Sequence, residues 1–220
     1  MSPGVILFGA RSPLVVEYEE ACLSSGRPID ACVSVEGIAR VLDRSKLVAL
    51  EDLTPDRLGS PFLACAFTPA RRIELVRIAR SIGLELAQAL IHRSAIVASS
   101  VRIGEGTLVN AGCTLGAVSI LGDNIVINRA CSIGHHAMIE DDVSIGPGAN
   151  LAGNVHVGQG SVIGAGAIVL PDIRIGRGAI IAAGSLIREH VPDDSFFAGS
   201  PAKVRPFDPS RSSLYYQGGE

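Results

Sequence analysis

The sequence predicts a small α/β domain followed by a parallel β-helix of hexapeptide repeats. Three observations carry this. Every sixth residue from Val97 to Ile187 is aliphatic, sixteen positions with no slip of register. The residue after each aliphatic is often glycine, and the residue two before it is usually small or β-branched. The first 92 residues instead alternate short apolar runs with helical patterns.

A period of six is neither the 3.6 of a helix nor the 2 of a simple strand. It is one flat side and one corner of a three-sided coil. The aliphatic points inward, the small residue two before it also fits inside, and a Gly or Asn near the corner tolerates the dihedrals of a sharp turn. Three sides make a turn of 18 residues, so residues 18 apart stack about 4.8 Å apart in parallel ladders. Ile133 is then expected between Leu115 and Leu151, and roughly five turns fit between Ala95 and Arg188. The absence of Trp and the 4% aromatic content suit a narrow prism.

Before the coil, Val5 to Ala10 reads as a buried strand. Ser12 and Pro13 open a helix, as N-cap and first helical residue, that runs to a stop near Gly26. Ala31–Val35, Leu47–Leu50 and Phe62–Phe67 read as further strands, and Thr68-Pro69 starts a second helix ending at Gly83. Alternating strand and helix argues a parallel sheet. The expected boundaries are 1–92 for this Rossmann-like domain, 93–190 for the β-helix and 191–220 for a C-terminal cap and tail. The α/β domain is expected to cover one open end of the coil, and Val191 to Val204, with Phe196 and Phe197, the other.

In such sheets ligands sit at the carboxyl ends of the strands. Those ends carry Gly9, Ala10, Arg11 and Ser12, then Ser34 and Glu36, then Thr68, the candidate substrate-binding residues. The first helix N-terminus either holds a phosphate or is a plain capped terminus.

Composition narrows the partners. The net charge is −3 with no basic run, which argues against nucleic acid. Gly or a polar residue breaks every apolar run well short of a membrane span, and there is no charged-then-apolar leader. The five cysteines lack CxxC spacing and read as reduced thiols of a cytoplasmic protein, with Cys113 and Cys131 stacked on adjacent coils. No metal site is expected, because no third ligand stands near His135 and His136 at a plausible spacing. Those two histidines follow Ile133-Gly134, so they fall at a corner and point outward. The rungs beside His135 are Ala117 and Gly153, both small, which leaves a shallow groove next to the imidazole.

The chain resembles the sialic acid O-acetyltransferase and UDP-4-amino-sugar N-acetyltransferase family of hexapeptide-repeat acyltransferases. The resemblance rests on Phe8-Gly9-Ala10, Ile91-His92-Arg93-Ser94-Ala95, Ser132-Ile133-Gly134-His135, Pro147-Gly148-Ala149, Leu151-Ala152-Gly153-Asn154-Val155 and the ending Ala198-Gly199-Ser200-Pro201-Ala202-Lys203. It covers nearly the whole chain. It implies a left-handed coil, a homotrimer, acetyl-CoA as co-substrate in a groove between neighbouring coils, and acetyl transfer to a hydroxyl or amine of a sugar, in many relatives linked to a nucleotide. By resemblance His135 matches the base. Gly153 receives the pantetheine and thioester, Ala165, Gly166 and Ala183 line the cofactor groove, and Lys203 meets a CoA phosphate.

The chain also departs from the family. Relatives usually place an acid directly after the base, where this chain has His136. Many carry a second histidine where it has Ser144. The glycine-rich loop after the first strand is depleted here, and the acidic pair common after the second strand is replaced by Ser34 and Val35. The residues alone leave two other readings open: a non-catalytic trimeric scaffold that binds a small ligand, and an acetyltransferase for a small non-nucleotide acceptor.

Overall fold

A computed structural model describes residues 4–35, 39–53 and 59–206. The first strand β1 (Val5–Phe8) is central in a parallel sheet of order β3-β2-β1-β4, with β2 at Ile29–Ser34, β3 at Leu47–Ala49 and β4 at Phe62–Ala64. Helix α1 spans Val15–Ser25 and ends on Gly26 in the left-handed region; α2 spans Pro69–Ser81 with Pro69 at its start. The chain leaves β1 toward β2 and later returns to its other side as β4. The crevice between β1 and β4 is therefore the switch point where such sheets bind ligands. Helix α1 starts two residues later than the sequence suggests. Leu14 is its N-cap, because the Ser12 hydroxyl accepts the Leu14 amide at 3.2 Å and makes a separate turn ahead of the helix.

The coil is a left-handed β-helix whose strands pair at the counted interval of eighteen: Ile133 lies between Leu115 and Leu151. Three sheets form its faces. Face one runs from Ile96–Val97 to Leu186–Ile187, and face two from Arg102–Ile103 to Arg174–Ile175. Face three runs from Leu90–Ile91 to Ile180–Ile181 and continues through Phe196–Gly199 and Ala202–Val204. All the counted aliphatics except Val97 and Ile103 are buried.

The small residues two positions earlier do more than fill space. Thr107, Cys113, Ser119, Cys131 and Ser161 each donate to a carbonyl fifteen residues on (Gly122, Asn128, Gly134, Gly146, Gly176). Thr107, Ser119 and Ser161 also accept an amide eighteen residues on. They supply the partners that buried corner groups need.

The glycines after the aliphatics are explained by close approach, not by dihedral freedom. A Cβ on Gly134 would fall 2.5 Å from the Ala152 carbonyl carbon, and one on Gly116 would fall 2.5 Å from the His135 nitrogen. The left-handed residues lie two positions further on, as at Val118, His136 and Asn154.

The α/β domain covers a face of the coil, not the end expected from sequence. Leu90, Leu108 and Val126 project outward from face three and are buried in one core with Val15, Tyr18 and Cys22. The open end explains why Val97 and Ile103 stay only half-buried. At the other end Val191, Phe197 and Ala202 join the coil core.

Arg72 locks the seam. It is fully buried and donates to the Ala66 and Phe67 carbonyls on its own side. Across the seam it donates to the carbonyls of Asn124, Asp142 and Val143 and to the Ser144 hydroxyl. Ser144 in turn donates to the Phe67 carbonyl. Burial pushes the Arg72 pKa down from its ordinary value, opposed by Tyr18 and Asp142.

Candidate active site

The corner between faces one and two carries Ala117, His135, Gly153 and Pro171 in one ladder, and Val118, His136, Asn154 and Asp172 beside it. At the last corner the register shortens by two: Ile175 pairs with Val191, and the Arg174 amide donates to His190 Nδ1. Backbone bonds fix the spacing: the His136 amide donates to the Ala117 carbonyl at 2.9 Å, and the Asn154 amide to the His135 carbonyl at 2.8 Å. Ser119 braces this corner from inside, donating to the Gly134 carbonyl and accepting the Ala137 amide. Both histidines are exposed. The His135 ring lies over Gly153, where a Cβ would sit 2.6 Å from Cε1 and 2.7 Å from Nε2. Glycine is required at 153 for this ring position. The Nδ1 atoms of His135 and His136 are 3.0 Å apart, with the rings edge to face.

The other expected cofactor residues divide into two places. Ala165, Gly166 and Ala183 fall at the corner between faces three and one, a different edge of the prism from His135. One chain alone does not bring them to the imidazole. Lys203 lies at the end of the coil, on the last strand of the face-three sheet. There Arg188, Glu189, Pro201, Ala202 and Lys203 line a cavity of about 330 Å³, and Lys203 donates to Glu189 at 2.8 Å. Glu189 follows Ile187, which is three rungs above Ile133 and so about 14 Å along the coil at the usual strand spacing. The hydrogen bond and charge of Lys203 hold the Glu189 carboxyl below its ordinary pKa.

The expected substrate residues sit at the carboxyl ends of the sheet. Gly9 and Ala10 follow β1, Ser34 ends β2 and Thr68 is the N-cap of α2 after β4. Gly9 has φ +101°, and a Cβ there would meet Leu75 Cδ1 at 2.6 Å. Arg11 and Ser12 form the turn before α1. The amides of Ser12, Leu14 and Val15 bond within that turn, to the Gly9 carbonyl, the Ser12 hydroxyl and the Ser12 carbonyl. Glu36 lies outside the described residues.

Sequence reasoning missed Arg72, which has no motif, and the contact of His136 with the base candidate. The aliphatic ladder Leu90, Leu108, Val126 at outward positions was the legible sign of a covered face. Among the described residues no group of His, Cys, Asp or Glu is arranged to hold a metal, and no helix is long and apolar enough to cross a membrane.

The model of the bacterial transferase hexapeptide (six repeats) matches residues 136–170 and 154–189. The matched residues lie within the coil, whose six-residue period is the repeat that model describes.

Solved hexapeptide-repeat structures match along nearly the whole chain. A histidine-to-asparagine variant of perosamine N-acetyltransferase from Caulobacter crescentus, in complex with CoA and GDP-perosamine, is 29% identical. The match covers 94% of this chain and 99% of that one, with a TM-score of 0.84. The acetyltransferase domain of PglB from Neisseria gonorrhoeae, in complex with acetyl coenzyme A, is 27% identical over 93% and 100% of the two chains, with a TM-score of 0.81. WeeI from Acinetobacter baumannii, at 23% identity over 93% and 100%, shares the fold with a TM-score of 0.69. A comparison with curated protein sequences gives no match.

Proposed function

We propose that this protein is an acetyl-CoA-dependent acetyltransferase acting on an amino group of a nucleotide-linked sugar. The observation that carries the reading is the full-length likeness, α/β domain included, to an N-acetyltransferase holding CoA and GDP-perosamine. A nucleotide fits the β1–β4 crevice, and the acetyl group fits the groove at Gly153. The acceptor amine attacks the thioester carbon while His135 Nε2 takes its proton. The C–S bond then breaks, and the thiolate recovers a proton from His135. A base so placed contributes typically ~10²–10⁴ in rate.

The positions of the cofactor residues support a homotrimer. His135 and Gly153 lie on one edge, and Ala165, Gly166 and Ala183 on another. A groove using both needs two chains, and a closed three-fold arrangement of prisms supplies it. The cavity at the end of the coil carries Arg188 and Lys203, the latter paired with Glu189, and its two cations suit the phosphates of CoA.

The test is CoA release from acetyl-CoA with GDP-perosamine and a panel of nucleotide amino sugars. His135→Ala is expected to lower the rate by ~10²–10⁴; equal rates for variant and wild type would remove His135 as the base. Failure to bind acetyl-CoA in calorimetry would favour a non-catalytic scaffold. One observation favours a small non-nucleotide acceptor as the second reading: the amides of the β1–α1 turn bond within the turn. Thermal shift with nucleoside diphosphates separates the two, since a nucleotide-sugar enzyme is stabilised by them.

A further inference from the structure

His135 and His136 meet nitrogen to nitrogen. Their Nδ1 atoms are 3.0 Å apart, the rings are inclined at 88°, and the ring centroids are 5.1 Å apart. One hydrogen fits between two nitrogens at that distance, so one Nδ1 donates and the other accepts. For a neutral pair this leaves two arrangements. If His136 donates, the hydrogen of His135 is on Nε2, and His135 has no lone pair facing the Gly153 groove. If His135 donates, its Nε2 is bare and lies over Gly153. Only the second arrangement makes His135 a base toward a bound acceptor.

The backbone holds the two rings to this meeting. The flanking rungs fix both residues through Ala117 and Asn154. His136 sits at φ 55°, in the left-handed region. Among the described residues neither ring is hydrogen-bonded to a carboxylate. The acid in the neighbouring ladder, Asp172, accepts from Asn154 Nδ2 at 2.7 Å instead. The other neighbours in these ladders, Ala117, Val118 and Gly153, carry no charge.

We infer that His136 is a positioning residue for His135: its Nδ1 lone pair accepts the Nδ1–H of His135 and so keeps Nε2 of His135 free to take a proton. The tautomer of an imidazole is set by the bond its other nitrogen makes. When His135 takes the acceptor's proton on Nε2, it becomes an imidazolium whose Nδ1–H bond to His136 is charge-assisted and stronger. No proton is gained or lost overall, because Nε2 returns it to the departing thiolate.

The proposal rests on His135 being the base, but its main readout needs no turnover. In ¹⁵N-histidine NMR at about two pH units above the ordinary histidine pKa of ~6.5, the His135 signal (assigned by its loss in His135→Ala) is expected in the Nδ1–H form. In His136→Gly, which suits the left-handed backbone and removes the ring, it is expected to change to the Nε2–H form. With GDP-perosamine as acceptor, kcat should fall at least tenfold in His136→Gly, bounded by the ~10²–10⁴ worth of a general base, with KM for acetyl-CoA unchanged. His136→Glu, which supplies a different acceptor, should recover kcat. A His135 found in the Nε2–H form in the wild type, or a form that is the same with and without the His136 ring, overturns the proposal. Loss of all acetyl transfer in the wild type would instead count against the acetyltransferase reading and leave the NMR result to decide this one.

Discussion

The His135 edge and the Ala165 edge are turned by the same six-residue repeat, yet they handle its sharp corner differently. Between residues 112 and 184 each corner on these two edges has one residue in the left-handed region. On the Ala165 edge these are Gly112, Ala130, Gly148, Gly166 and Gly184. On the His135 edge they are Val118, His136, Asn154 and Asp172, all with side chains. A non-glycine residue there costs roughly 1–2 kcal/mol. The Ala165 edge is glycine at all but Ala130; the His135 edge keeps larger side chains, the neighbour of the proposed base among them, at a conformational cost. The repeat fixes only where a corner is. The residue chosen for the left-handed position decides whether that corner can do chemistry.

Both edges belong to one coil with its attached domain, and Arg72 bridges the two. Arg72→Ala leaves several buried carbonyls without a donor and should cost about 3–5 kcal/mol, a Tm fall of roughly 10 °C. A loss under ~1 kcal/mol in chemical denaturation would mean the seam is not held by this side chain.

Glycine substitutions compare the two kinds of corner directly. Gly134→Ala places a Cβ against the Ala152 and Gly153 backbone and should destabilise by about 1–3 kcal/mol, as overpacking does. Gly148→Ala meets nothing within 4 Å and should cost only the left-handed penalty, about 1 kcal/mol. Equal losses would erase the distinction between close approach and dihedral freedom.

Val118 is the sharpest case of conformational cost, being β-branched, left-handed and 51% exposed. Val118→Asn should raise stability by about 1 kcal/mol in urea unfolding, since Asn tolerates this region.

The smallest effect belongs to face two. Burial alone would raise the Glu140 carboxyl, but the His156 hydrogen bond, the Gln159 amide and Arg177 outweigh it and hold the pKa below its ordinary value. A lowered folded pKa gives stability that is present above the unfolded carboxylate range and is lost as pH falls through the folded value. His156→Gln should therefore move the acid-unfolding midpoint slightly upward. An unchanged midpoint would show that the contact contributes nothing at this partly exposed site.

Most of the coil was legible in the sequence because its neighbours are set by counting. The aliphatic ladder, the stacking of His135 between Ala117 and Gly153 and the inward small residues all follow from eighteen. The role of the glycines did not follow, since composition does not separate a residue needed for φ from one needed for close approach. The docking of the α/β domain was hidden for a different reason. Arg72 lies on a helix with no repeat to index it, and its partners at 124, 142 and 143 are backbone atoms, which leave no mark in side-chain pattern. The start of α1 was misplaced because Ser12 caps a turn as readily as a helix.

The unbroken register also governs how such a chain can change length. Removing eighteen residues from the coil would keep every later side chain on its own face and bring the Arg188–Lys203 cavity one rung, about 4.8 Å, closer to His135. Removing six would keep the inward pattern intact and yet turn everything beyond the cut by one face. The core would register no fault, while the end cavity would be turned by one face relative to the histidines. For this fold a deletion that hydrophobic pattern accepts is not one that function accepts, and only whole turns are exchangeable parts.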